Sequence, residues 1–177
     1  MNLKSKLILI VLFIASSFSS CGIYSFTGAS ISPGVKTISI QTFFNNAPLG
    51  PPNMSISFTE KIKDYYQQNT SLSLINDEGD LQIEGSIENY TLTPVAATAS
   101  QDQNGIDLTS LTRITITVKA TYVNVQDETY DFSDKRFTFF KDFDQNTEDL
   151  SANEEAFVDE IFEQIVLDIF NSSVANW

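Results

Sequence analysis

Cys21 is the one thiol in a chain that has no histidine, and these two counts settle most of the chemistry open to it. Without an imidazole, a Ser-His-Asp triad, a His-bearing zinc site and a histidine general base each lose an indispensable part. A lone cysteine closes no internal disulfide and forms no Cys-x-x-Cys pair. Phosphate-cradling and nucleophile motifs are missing as well: there is no Gly-x-Gly, no P-loop lysine spacing and no Ser-x-x-Lys. Asp142-x-Asp144-x-Asn146 opens like a calcium loop, but its sixth position is Thr147 where glycine makes the turn, and its twelfth is Asn153 where glutamate closes the shell. No metal site is expected there. Adjacent carboxylates such as Glu154 and Glu155 have the atoms for acid-base work, yet nothing in the sequence sets them in a cleft. The expectation is a binding protein without catalytic residues or cofactor.

The surroundings of Cys21 give it a different task. Lys4 and Lys6 precede an apolar run from Leu7 to Ala15, and small residues lead from Ser16 to Cys21. A cationic start, a short apolar middle and small residues before a cut make a secretory signal. The run is about half of the roughly 20 residues that a membrane-spanning helix needs. Its ending resembles a bacterial lipobox, which implies diacylglycerol on the Cys21 thiol, cleavage before it and acylation of the new amino group. Two acyl chains already give stable membrane anchoring. The expected organisation is a signal peptide over 1–20, a lipidated tether over 21–34 and one domain over 35–177, within the usual size for 177 residues. Removing the signal takes Lys4 and Lys6 with no acid, so the formal charge moves from −13 to −15. Such a polyanion has no cationic field for nucleic acid.

The elements follow from periodicity. Val35 to Phe43 alternates as a strand, and Pro48, Gly50, Pro51 and Pro52 punctuate the loop after it. Met54, Phe58, Ile62, Tyr65 and Tyr66 recur at helical spacing, with Ser57 and Glu60 spaced as a capping box, and this helix ends near Asn69. Leu72 to Ile75 is a candidate short strand. From Leu81 to Pro94 a half-buried strand changes phase at Asn89-Tyr90, which predicts a bulge. Ala96 to Thr109 is polar, rich in small residues and reads as the longest loop. Val158, Ile161, Phe162, Ile165, Val166, Ile169 and Phe170 line one side of a last helix, behind a Ser151/Glu154 capping box. The fold class is α+β, with a four-stranded, mostly antiparallel sheet and both helices packed on one face.

Thr112 to Val125 and Tyr130 to Phe143 pair as a hairpin if the turn centres on Asp127-Glu128. That register sets Val118 opposite Phe137 and Ile116 opposite Phe139 on an apolar face, with Thr117 opposite Thr138 and Lys119 opposite Arg136 on a polar one. Like charges facing across strands are unfavourable unless an anion or a carboxylate lies between them. Asp134 and Asp142 are candidates for that carboxylate. With Arg113 further along, the polar face reads either as a solvated surface or as a small contact site for an anionic glycolipid, comprising Arg113, Lys119 and Arg136. Phe140 points with that face and is a candidate partner surface.

Taken together, the lipobox followed by Gly22-Ile23-Tyr24-Ser25-Phe26, the segments Ile38-Ser39-Ile40-Gln41-Thr42-Phe43 and Gly79-Asp80-Leu81-Gln82-Ile83-Glu84-Gly85, Tyr90-Thr91-Leu92-Thr93-Pro94-Val95, and the ending from Asp168 to Trp177 resemble a Bacteroidetes-type LptE protein. The resemblance spans nearly all of the chain after the signal. It implies an outer-membrane lipoprotein of lipopolysaccharide assembly, with two helices against a four-stranded sheet. It also implies a partner, the LptD β-barrel translocon, which such a lipoprotein plugs and helps to assemble, and contact with lipopolysaccharide. Those lipopolysaccharide contacts are attributed in the family to basic side chains, which have no matched positions here. Gly22 stands where an aspartate is associated with inner-membrane retention, and no acidic run follows Cys21, which implies a periplasm-facing outer-membrane position. The alternative is a periplasmic lipoprotein that binds another envelope protein or a small ligand on the same fold.

Overall fold

The computed structural model describes residues 31–95, 98–102, 105–109 and 111–175; the signal, Cys21 and most of the tether lie outside the described residues. Strand β1 (Thr37–Ile40) and the two-residue β2 (Phe44–Asn45) lead into helix α1 (Met54–Asn69). Then come β3 (Ser73–Ile75), β4 (Leu81–Pro94), β5 (Thr98–Asp102), β6 (Gly105–Thr109), β7 (Leu111–Asn124), a 3-10 turn at Glu128–Tyr130, β8 (Phe132–Asp144) and helix α2 (Leu150–Ser173).

The expected sheet needs correcting. It has six strands and is mixed, ordered β3-β1-β4-β7-β8 with β2 also on β4; β1 pairs parallel to β3 and β4, and β2 parallel to β4. Only the β4-β7 and β7-β8 pairings within it are antiparallel. The parallel part arises because α1 carries the chain from β1 back to the same end of the sheet before β3 begins, the crossover that parallel pairing requires. The expected loop over Ala96 to Thr109 is corrected too: β5 and β6 form an antiparallel hairpin, Thr98 opposite Thr109 and Asp102 opposite Gly105. They make a two-stranded sheet of their own, beyond the point where the β4-β7 pairing runs out at Pro94 and Thr112.

Both helices cover one face of the sheet. On β7 every second residue from Thr112 to Tyr122 is buried, which is the period-2 signature of a strand packed on one side. Phe43, Phe58 and Phe162 form an edge-to-face chain through the core, with ring centroids 4.9 Å apart at each step. Gly85 is needed where β4 crosses Phe43, since a Cβ there would strike the Lys119 carbonyl oxygen. The Tyr66 hydroxyl shares a buried hydrogen bond with the Ser173 Oγ, tying α1 to the end of α2, and burial pushes the phenol up.

Neither capping box forms. The first helix begins at Met54, three residues before Ser57, with Asn53 at its N-cap, and Ser55 Oγ donates to the Phe43 carbonyl. The second is capped by Asp149, whose carboxylate accepts the Ser151 N–H, while Glu154 accepts the Tyr90 hydroxyl at 2.7 Å. In the second helix the glutamate of the motif is used by a tertiary contact, whereas in the first Glu60 pairs with Lys63 along the same helix.

Asp80, at the start of β4, gathers the entry of the chain into the domain. Its Oδ2 accepts the main-chain N–H groups of Lys36 and Thr37 and the Thr37 hydroxyl, and its Oδ1 accepts Gln126 Nε2, which also donates to the Gly34 carbonyl. The Lys36 N–H foremost, then the other donors, hold this carboxyl down to about 2. The clamp is thus intact above the ordinary carboxylate range and is lost only as pH falls through that value.

Candidate functional site

The face of the sheet turned away from the helices carries the polar halves of β4, β7 and β8. Register places Thr93, Arg113 and Asp142 in one row, Thr91, Thr115 and Phe140 in the next, then Asn89, Thr117 and Thr138, and finally Ser86, Lys119 and Arg136. The expected pairing of β7 with β8 is therefore found, including Val118 with Phe137 and Lys119 with Arg136. Thr117 and Thr138 bond hydroxyl to hydroxyl at 2.9 Å. The Asp127-Glu128 turn is wider than expected. Asp127 caps the 3-10 turn, and the extra length is absorbed at Asp134, whose φ of +52° makes the bulge between the Ala120 and Tyr122 pairings. On β4 the predicted phase change falls between Ile87 and Asn89.

The two faces divide the basic side chains between them. Arg113 holds Asp142 through two parallel bonds of 2.6 and 2.8 Å, and its guanidinium carbon lies 3.7 Å from the centre of the Phe140 ring. The Arg113 hydrogen bond holds the Asp142 carboxyl below its ordinary range. Lys119 pairs with Asp134 at 3.2 Å. Arg136, directly opposite, has no carboxylate within ion-pair distance among the described residues. A second compensating anion is Glu88, which the sequence reading did not single out. Bonds from Ser86 and Asn46 keep its carboxyl low, with a smaller contribution from the charges of Lys119 and Arg136. On the helix side, Lys135 donates to Ser172 Oγ at 3.0 Å and Lys141 pairs with Glu160.

The arrangement suits recognition. The carboxyls that depart from the ordinary range, Asp80, Glu88, Asp127 and Asp142, all lie below it, which favours fixed charge over proton transfer near neutral pH. The side chains of the calcium-like stretch are taken up locally: Asp142 by Arg113, and Asp144 by the N–H and Nδ2 of Asn146. Phe137 is buried, and Phe140 is 44% exposed. Beside the Lys119 row the sheet opens into a groove of about 1180 Å³, bounded by Phe44, the turn Asn76 to Glu78 and Asp134. Nothing in the alternation of single strands announced this groove, because its lining comes from five separate segments.

The family model for LptE, described as lipopolysaccharide-assembly, matches residues 35–173. Curated proteins give no match. Among solved structures, a hypothetical protein from Chlamydia trachomatis superposes with a TM-score of 0.50 at 11% identity, over 78% of this chain and 97% of that one. An uncharacterised lipoprotein B from Nitrosomonas europaea gives 0.45 at 12%, over 77% and 80%. At these identities the first likeness speaks for the fold alone. The family match takes in both helices and all six strands of the main sheet, so the chain belongs to the LptE family of lipopolysaccharide assembly.

Proposed function

We propose that this lipopolysaccharide-assembly lipoprotein is the plug and assembly partner of an LptD-type β-barrel. In this reading Cys21 is acylated, the segment over 1–20 is removed, and 21–34 tethers the domain over 35–177 to the outer membrane, facing the periplasm. The observation that carries it is the family match over 35–173, which covers the whole folded domain and leaves the anchor segment outside it. The geometry supports it. With both helices on one face, the other presents a broad, self-neutralised polar surface to a partner. The protein works by contact, without catalysis.

On this surface Arg136, with Lys119 beside it and Arg113 three rows further along, is the anionic-glycolipid contact, and Phe140 belongs to the partner surface. Arg113 and Lys119 already hold carboxylates, so Arg136 offers the larger share of uncommitted charge. The experiment is affinity purification of the acylated full-length protein from detergent-solubilised envelopes, with mass spectrometry of Cys21. Recovery of a large β-barrel with lipid on Cys21 is the expected result. Recovery of a different envelope protein, or an unmodified thiol, overturns the reading.

A further inference from the structure

The groove beside Lys119 has a lining that selects among ligand chemistries. Its floor is the open face of β1, β4 and β7, with Ser39, Gln82, Glu84 and Thr121 upward, and its walls add Gln41 and Asn76. At about 1180 Å³ it exceeds the roughly 300–1,000 Å³ of an ordinary small-molecule cleft, so it suits an extended ligand.

Three classes fit poorly. A phosphate-rich ligand would meet Asp77, Glu78, Glu84 and Asp134 with one cation, Lys119, already paired to Asp134. A metal ion lacks its shell, since among the described residues no three such ligands converge. An acyl chain finds little apolar lining: Ile83 turns its side chain into the core, leaving Phe44 and Val123. What remains is a mixture of amides, carboxylates and hydroxyls around one ring. Amides and carboxylates offer paired donors and acceptors to neighbouring hydroxyl groups. Among the described residues, the side chains of Gln41 and Glu84 form no hydrogen bond within the chain. Phe44 stands on the wall 72% exposed, paired through its backbone with Ser86, and none of the described residues covers it. An exposed ring offers a flat apolar face on which the C–H side of a sugar can stack.

We propose that this groove binds a neutral oligosaccharide chain, with Phe44 as the stacking platform and Gln41, Gln82 and Glu84 bonding the hydroxyls. It adjoins the Arg136 contact and shares Lys119 with it, and of the proposed function it uses only the envelope setting, which supplies the glycan. Barrel capture can succeed while sugar binding fails, so the two readings fall independently.

The test uses the acylated full-length protein in neutral detergent micelles. Two probes are titrated by saturation-transfer NMR and calorimetry: a neutral O-chain polysaccharide, freed of its acidic core after mild-acid release from smooth lipopolysaccharide, and a neutral N-acetylglucosamine oligomer that stands for the glycan backbone of peptidoglycan. Binding of either supports the site, and which one binds names the source. Phe44→Ala, at an exposed position, weakens binding about tenfold; Gln41→Ala weakens it several-fold, and Lys63→Ala on the outer face of α1 leaves it unchanged. Circular dichroism confirms that each variant is folded. No binding of either glycan, equal binding by Phe44→Ala, or capture of an oligolysine peptide in place of sugar overturns the proposal.

Discussion

The two faces of the sheet are made by the same strands, residue by residue in alternation, yet they obey different rules. Toward the helices the side chains of β7 are buried at every second position, and large rings interlock around Phe58 and Phe162. Their identity is dictated by volume and by the cost of a cavity. Away from the helices the neighbours of the same residues are threonines, ion pairs and an exposed ring, aligned by backbone register and joined by exposed polar contacts. Changes there leave the scaffold intact, so that face is free to carry recognition. The contrast also separates two lysines. Lys61, between the helices, is pressed by burial toward losing its charge, but bonds to Asp159 and Glu163 outweigh this and raise its pKa. Lys119, on the open face, has one ion-pair partner among the described residues, Asp134, at a bulge.

The contrast breaks most visibly at its buried centre. Phe162→Ala removes a fully buried ring that meets Phe58 edge-on, and chemical denaturation is expected to show a loss of about 3–5 kcal/mol. A loss below about 1 kcal/mol would mean that the helix face is more pliable than its packing indicates. Gly85→Ala tests the seam between the faces, because its new Cβ would strike the Lys119 carbonyl oxygen and the Phe43 ring. Forcing β4 from β7 is expected to cost about 1–3 kcal/mol, with slower hydrogen exchange at the Lys119 row counting against the idea. Thr117→Val sharpens the other side. It removes an exposed hydroxyl pair, and its effect in the same denaturation assay is expected to stay within about 0.5 kcal/mol.

How much of this was legible in the sequence depended on whether an element carries its own alternation. The β7-β8 register could be read because two independent patterns, Ile116-Val118 and Phe137-Phe139, agree on one face. The helices were clear for the same reason. The three residues of β3 and the two of β2 are too few to show a period, and their parallel pairing depends on contacts across α1, so the sheet was expected with four strands. The β5-β6 hairpin, a two-stranded sheet of its own, was missed because β5 holds no large apolar residue, so the short alternation of Ile106 and Leu108 in β6 has no matching pattern to agree with. Of the polar site, the rows around Arg113, Lys119 and Arg136 followed from register. Glu88 did not, because it sits at the bulge, where alternation no longer tells which way a side chain turns. The groove was beyond reach, since Phe44 and Asn76 become neighbours only through the sheet topology.

The Asp80 clamp has a mechanical meaning. Any tension that reaches the domain from its leading segment arrives first at Lys36 and Thr37, which that carboxylate holds at the very point where β1 enters the sheet. Because β1 lies parallel between β3 and β4, a tug along its axis loads the whole ladder in shear, and the bonds must fail together. A pull delivered at this end would therefore shear the sheet edge and not unzip it.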